Sequence, residues 1–248
     1  MIDFYYSPTP NGWKVAIMLA ETGLDHRTIL MRLTEGDQLT AAFRKINPNA
    51  KIPAIVDHGG DTGPVSVFES GAILLYLANK TRRFGAPSGR EEKELLEWLF
   101  WQAGNQGPMA GQLSHFVNYA PVGQDYSLKR YKGEFERTLG VLERRLKGRT
   151  YVLADYSIAD MMIFPWVFIS KPLGVNLENF PNVSAWRARI KQRPAVRDAI
   201  NLHKDAQFSG STSADENSIL FNQTADHLGD ESLRQVGAAR NSRRDPVS

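Results

Sequence analysis

The sequence predicts an α/β domain of βαβαββα order followed by an all-α domain. Three observations carry that prediction. Short aromatic and β-branched runs alternate with helical patterns over the first eighty residues. A basic stretch rich in Gly, Pro and Ser then interrupts the pattern, and from there to about residue 202 the apolar spacing is helical. The expected boundaries are 1–80 for the first domain, 81–90 for a linker, 91–203 for the helical domain and 204–248 for a mostly disordered tail.

Ile2 to Tyr6 is a short strand, closed by the turn formers Ser7-Pro8-Thr9-Pro10-Asn11-Gly12. The helix that follows places Val15, Met18, Leu19 and Thr22 on one face, and Gly23 stops it. Arg27 to Leu33 is a second strand, and strand–helix–strand in that order implies a right-handed crossover with parallel pairing. Leu39 to Ile46 is a short helix ending before Asn47-Pro48-Asn49. Strands over Pro53–Asp57 and Val65–Phe68 flank a hairpin-type loop, His58-Gly59-Gly60-Asp61, and Ser70 opens an apolar helix through Leu77 and Ala78. The product is a four-stranded mixed sheet with helices, the thioredoxin-like arrangement.

Lys80 to Arg90 is the linker. Glu91 to Tyr119 reads as a long helix that Gly107-Pro108 should kink or break. Tyr131, Phe135, Leu139, Leu142 and Leu146 define a second helix within Tyr126–Lys147. Ser157-Ile158-Ala159-Asp160 opens a third with the spacing of a capping box, Asp replacing Glu, and is assigned to folding. A fourth runs from Val183 to Gln192 after Pro181, and a short one follows Pro194. Beyond about Asp205 the polar composition cannot bury much apolar surface. Ile219, Leu220 and Phe221 are the exception and are expected to dock back on the body.

Composition narrows the chemistry. Hydrophobic residues are 42% and charged residues 23%, as in ordinary globular proteins. No apolar run approaches a membrane span, and Met1-Ile2-Asp3-Phe4-Tyr5-Tyr6 lacks the features of a signal peptide, so the expectation is a cytoplasmic protein away from membranes. The net charge of +3 is mild, with both signs interleaved, which argues against a nucleic-acid partner. Cysteines number 0, which removes disulfides, thiolate metal sites and any protein thiol nucleophile; His is sparse at 5 and no pair has zinc-binding spacing, so no metal is expected. Any thiol chemistry must use sulfur carried by a ligand.

Three segments carry functional side chains. Thr9-Pro10-Asn11-Gly12-Trp13-Lys14 stands at a helix N-terminus, where unpaired N–H groups stabilise a thiolate. Thr9 and Asn11 are donors suited to a sulfur anion, and equally suited to a turn and N-cap. Asn49-Ala50-Lys51-Ile52-Pro53-Ala54 places a proline at a strand start, so the Ile52 backbone can pair with an extended peptide or simply begin the strand. Phe68-Glu69-Ser70-Gly71 offers a carboxylate for an ammonium and a helix N-terminus for a carboxylate; alternatively it is an N-cap beside a solvated Glu.

Together with Leu74-Leu75-Tyr76-Leu77, Glu97-Trp98-Leu99-Phe100-Trp101-Gln102, Gly107-Pro108-Met109, Gly111-Gln112 and Tyr156 to Asp160, these segments resemble the glutathione transferase superfamily. The Thr-Pro-Asn-Gly signature is similar to its Nu class, the bacterial glutathione-dependent disulfide-bond oxidoreductases, and to the glutathione-binding domain of a yeast nitrogen regulator. The resemblance covers roughly residues 1 to 203. It implies glutathione as cosubstrate, with Thr9 and Asn11 at its sulfur and Ile52, before a cis Pro53, on its cysteinyl backbone. It further implies Gln38 and Lys51 near the glycyl end, Glu69 and Ser70 at the γ-glutamyl end, and Arg130 reaching glutathione from the other subunit of a homodimer. The activity implied is disulfide reduction, with conjugation or ether cleavage as related chemistries; a non-catalytic glutathione-binding regulator or ligand carrier is the alternative. Trp13, Phe116, Tyr119, Tyr126 and Trp166 are candidate walls for an electrophilic or disulfide second substrate between the domains. Trp13 stands where the bacterial reductases often carry a smaller or polar ring and is expected to shape the mouth of the site.

Overall fold

The computed structural model describes residues 1–60, 63–87, 89–206 and 213–221. Four strands, β1 (Ile2–Tyr6), β2 (His26–Leu30), β3 (Ala54–Asp57) and β4 (Val65–Phe68), form one sheet in the order β2-β1-β3-β4. β1 pairs with β2 in parallel, Phe4 opposite Thr28, whereas β1–β3 and β3–β4 are antiparallel, with Ile55 opposite both Phe4 and Val67. The second strand is shorter than its β-rich sequence suggests. Beyond Leu30 the chain turns, and Leu33–Glu35 and Asp37–Leu39 form single 3₁₀ turns before the short helix α2 (Ala41–Ile46), capped by Thr40. Asp61 of the expected hairpin loop lies outside the described residues.

Alternation along β1 divides the core. Ile2, Phe4 and Tyr6 face α1 (Pro10–Thr22) and α3 (Ser70–Thr81), while Tyr5 faces α2 with Met31, Phe43 and Ala54. Gly23 ends α1 in the left-handed conformation, φ 69°, with its N–H bonded to the Leu19 carbonyl.

The helical domain comprises α4 (Arg90–Trp101), α5 (Gly107–Asn118), α6 (Asp125–Leu146), α7 (Ile158–Phe168), α8 (Pro181–Lys191) and α9 (Pro194–Asn201). The expected break at Gly107-Pro108 is a π-helical turn, Gln102–Gln106, which carries α4 into α5 without a loop. From Ile158 to Val167, α7 is buried on every side. It packs against α1 and α3, so one apolar core runs through both domains. Its capping box is formed as expected: Ser157 Oγ accepts from Ala159 N–H, and Asp160 Oδ2 accepts from Ser157 N–H at 3.1 Å.

Within the expected disordered tail, α10 (Ala214–Phe221) is helical, and the docking expected of its last residues is present. Phe221 packs edge-on against His115 and near Tyr119, and Ile219 lies against Gly36. Residues 207–212 and 222–248 of the expected tail lie outside the described residues. No helix among the described residues is long and apolar enough to cross a membrane.

Candidate functional site

The turn between β1 and α1 is set by Thr9, extended at φ −121°, whose Oγ1 accepts from Gly12 N–H at 3.3 Å. A hydroxyl that accepts in this way keeps its own proton to donate elsewhere. Only glycine fits at position 12, because a Cβ there would meet the Ser7 carbonyl oxygen at 2.3 Å. Asn11 is held from the other domain: Trp166 Nε1 on α7 donates to Asn11 Oδ1 at 3.2 Å. An indole N–H can only donate, so the contact fixes which end of the amide faces Trp166 and leaves the Nδ2 hydrogens for the cavity.

That cavity, about 180 Å³, is lined by Asn11, Asn47, Asn49, Lys51, Ile52, Pro53, Glu69 and Ser70. One wall is the loop before β3. The buried Asn47 shapes it, donating through Nδ2 to the Lys51 carbonyl at 2.6 Å and accepting from Asn49 N–H at 2.9 Å. Ala50 takes a left-handed conformation, φ 52°, and the Ile52–Pro53 peptide bond is cis. Sheet pairing begins only at Ala54, so the Ile52 backbone lies outside the ladder.

The opposite wall is the start of α3. Glu69 precedes it at φ 68°, a conformation uncommon for a residue with a side chain and one that costs of order 1–3 kcal/mol. The first turn of α3 receives no side-chain cap, and Ser70, its first residue, is buried at the cavity floor. Gly71 lets this helix end approach α7, since a Cβ would lie 3.1 Å from the Met162 methyl. Beneath Ser70 lies Lys14, whose Nζ donates to Ser70 Oγ at 3.2 Å and to Gln102 Oε1 at 2.9 Å. Burial pushes its ammonium down to about 7, opposed by the charge of Glu69.

The structure therefore brings Asn11, Lys51, Ile52, Pro53, Glu69 and Ser70 around one cavity, with Thr9 at its helix cap. Gln38 does not join them: it is buried, with Nε2 turned to the Leu33 carbonyl at 3.0 Å. Arg130 is exposed on α6 and paired with Glu134 at 2.6 Å, outside the cavity lining.

Of the residues expected around a second substrate, Trp13 needs correction and the others lie apart from this cavity. Trp13 is buried in the core edge-on to Phe168, because the inner face of α1 points it at α7 rather than at the site mouth. Tyr126 is 82% exposed in the first turn of α6. Phe116 stacks on Tyr131, Tyr119 packs with Phe221, and Trp166 donates to Asn11; none of the five lines the cavity. Sequence reasoning gave no role to Asn47, Lys14 or Gln102. The Asn-Pro-Asn run reads only as a loop, and a lysine one helical turn past a cap gives no sign of burial.

Comparison with known proteins follows the same division. Residues 9–80 match the model of the glutathione S-transferase N-terminal domain, and residues 113–194 match that of its C-terminal domain. The disulfide-bond oxidoreductase YfcG of Escherichia coli is 46% identical over 203 residues, covering 81% of this chain and 94% of its own.

The chain belongs to the glutathione S-transferase family.

Solved members of the family have the same fold. A glutathione transferase from Burkholderia graminis, with two glutathione molecules bound per subunit, superposes with a TM-score of 0.78 at 44% identity over 82% of this chain and 88% of its own. One from Pseudomonas putida, with one glutathione disulfide bound per subunit, gives 0.77 at 38% identity over 82% and 91%.

Proposed function

We propose that this glutathione S-transferase binds glutathione in the Asn11–Ser70 cavity and uses its sulfur to reduce disulfides, in the manner of the Nu class. The observation that carries the reading is the Trp166–Asn11 contact. It aims an amide donor at a helix N-terminus in a chain with 0 cysteines, so the anion to be stabilised comes from a ligand. The remaining donors fit the peptide. Glu69 suits the γ-glutamyl ammonium, Ser70 and the α3 N-terminus suit its carboxylate, the Ile52 backbone suits the cysteinyl unit, and Lys51 suits the glycyl carboxylate.

In the proposed reaction, the thiolate of bound glutathione, stabilised by the Thr9 hydroxyl and the Asn11 amide, attacks one sulfur of a substrate disulfide. A mixed disulfide forms, and the other sulfur leaves as thiolate and takes a proton. A second glutathione thiolate attacks the glutathione sulfur of the mixed disulfide, releasing glutathione disulfide and the second substrate thiol. Two glutathiones supply the two electrons, and no protein sulfur takes part. A protein that draws on reduced glutathione belongs in the cytoplasm.

The same reading includes a homodimer. Phe100, 72% exposed on α4, and the exposed Phe68 at the sheet edge supply apolar surface for a second copy, and Arg130 stands free of the cavity of its own chain.

Calorimetric titration with reduced and oxidised glutathione, followed by a disulfide-reduction assay on the same sample, tests the proposal. Binding with turnover supports it. Binding without turnover turns the reading toward conjugation or a carrier role, and absence of binding removes it.

A further inference from the structure

Lys14 occupies a position where a lysine is costly. Its side chain is 2% exposed on the inner face of α1, between the two domains. Nζ has two partners, Gln102 Oε1 and Ser70 Oγ, and both are neutral. Among the described residues no carboxylate comes within ion-pair distance of it; Glu69 acts on it only through space. A methionine would fill the same volume without the desolvation cost of a buried charge.

The groups around it are also incomplete. Gln102, fully buried on the π-helical turn, accepts from Lys14 through Oε1 but leaves its Nε2 with no hydrogen-bond partner. Ser70 Oγ accepts from Lys14, while its own hydrogen goes only to Met162 Sδ at 3.9 Å, a weak contact that a carboxylate would displace. The counter-ion that the chain omits is one the ligand brings, because glutathione carries an α-carboxylate on its γ-glutamyl end.

We propose that Lys14 is a positioning residue of the glutathione site, a buried cation that orients the Ser70 hydroxyl and counters the γ-glutamyl α-carboxylate from inside the domain interface. Lys14 donates to Ser70, and Ser70 donates to the carboxylate, each bond strengthening the next. Through Gln102, the α4–α5 junction holds the relay in place, so the peptide-binding end of the site is registered to the helical domain. The inference rests on the reading of the cavity as a glutathione site.

The test compares glutathione with γ-aminobutyryl-cysteinylglycine, which lacks only that carboxylate. Calorimetry on the wild type, Lys14→Met and Lys14→Arg gives two affinities for each protein. The wild type prefers glutathione; Lys14→Met loses about tenfold in glutathione affinity with little change for the analogue, as for a charge one hydrogen bond from the ligand. Lys14→Arg keeps the preference. An equal loss for both ligands, or none, overturns the assignment.

A second readout needs no variant. Around Nζ stand Ser70 and Glu69 of α3, Gln102 of the π-helical turn and, beyond Ser70, Met162 of α7, and the charge acting on it is that of Glu69. The preference of the wild type for glutathione should therefore fall as pH rises from about 6 to about 8, when Lys14 loses its proton. The amine and thiol common to both ligands cancel in the ratio, and a ratio flat in pH overturns the assignment. If the wild type binds neither peptide, the glutathione reading falls and Lys14 with it. If it binds both equally well, only the role of Lys14 falls.

Discussion

Two buried charged side chains, Asp160 on α7 and Lys14 on α1, sit on helices that pack against each other, yet their surroundings treat them in opposite ways. Asp160 is satisfied entirely by the chain. Oδ1 accepts from Val152 N–H at 3.0 Å and Trp186 Nε1 at 2.8 Å, and Oδ2 accepts from Ser157 N–H at 3.1 Å and Ser157 Oγ at 3.4 Å. Lys14 has two neutral acceptors, and the amide nitrogen of one of them, Gln102, lacks a partner. A charge that serves the fold is closed within the chain, because an open one would cost stability at all times. A charge that serves a ligand stays open until the ligand arrives.

The largest effect that sharpens this contrast is expected at Asp160. Asp160→Ala orphans the Val152 and Ser157 N–H groups and the Trp186 indole N–H, and should cost about 3–5 kcal/mol in urea unfolding. A loss within experimental error would place Asp160 with Lys14 rather than opposite it. The same carboxyl gives a pH signature. Burial raises it to about 6, against the hydrogen bonds from Trp186, Val152 and Ser157, so the folded chain holds its proton more tightly than the unfolded one. Its protonation stabilises the fold below about pH 4, and that contribution disappears as pH rises through about 6. The Ala variant should lack this slope.

Lys14→Met should move stability the other way. Without ligand, the variant should be more stable by about 1–3 kcal/mol, because an uncompensated buried ammonium is gone. A lower unfolding temperature for this variant would mean that the relay supports the fold itself. Trp166→Phe follows, at about 1 kcal/mol in transition-state binding, read as a fivefold to tenfold fall in kcat/KM with stability nearly unchanged. Ile219→Asp on α10 should be smallest, under about 1 kcal/mol, since Ile219 is only half-buried where it meets Gly36.

How far the sequence discloses this molecule follows the same line between local and distant causes. The order of elements in the first domain, the Gly23 stop and the capping box at Ser157 are local signals of period, turn chemistry and capping, and they read correctly. Asn11, Ile52, Glu69 and Ser70 share one cavity, and each sits in a short motif at an element boundary that the sequence displays. What stayed hidden depends on residues far apart in sequence. The orientation of Asn11 comes from Trp166, 155 residues away. One of the two partners of Lys14 is Gln102, 88 residues away, on a π-helical turn that hydrophobic spacing cannot distinguish from a proline kink. Trp13 looked like a site residue by its place in a motif, but the helix phase that buries Val15 and Met18 also turns it inward. Helix α10 is too short and polar for its pattern to announce a helix; its contact with the Leu33–Glu35 turn and with His115 supplies the order.

The most direct test of the account is the pKa of the thiol of bound glutathione, followed by ultraviolet thiolate absorbance across a pH titration of the complex. The wild-type complex should titrate well below the free thiol value of about 8.5. Asn11→Ala should return it toward that value and slow disulfide reduction by about a hundredfold, as removal of an anion-stabilising donor does elsewhere. A wild-type complex whose thiol titrates like free glutathione would contradict the claim that Asn11, held by Trp166, is aimed at the sulfur.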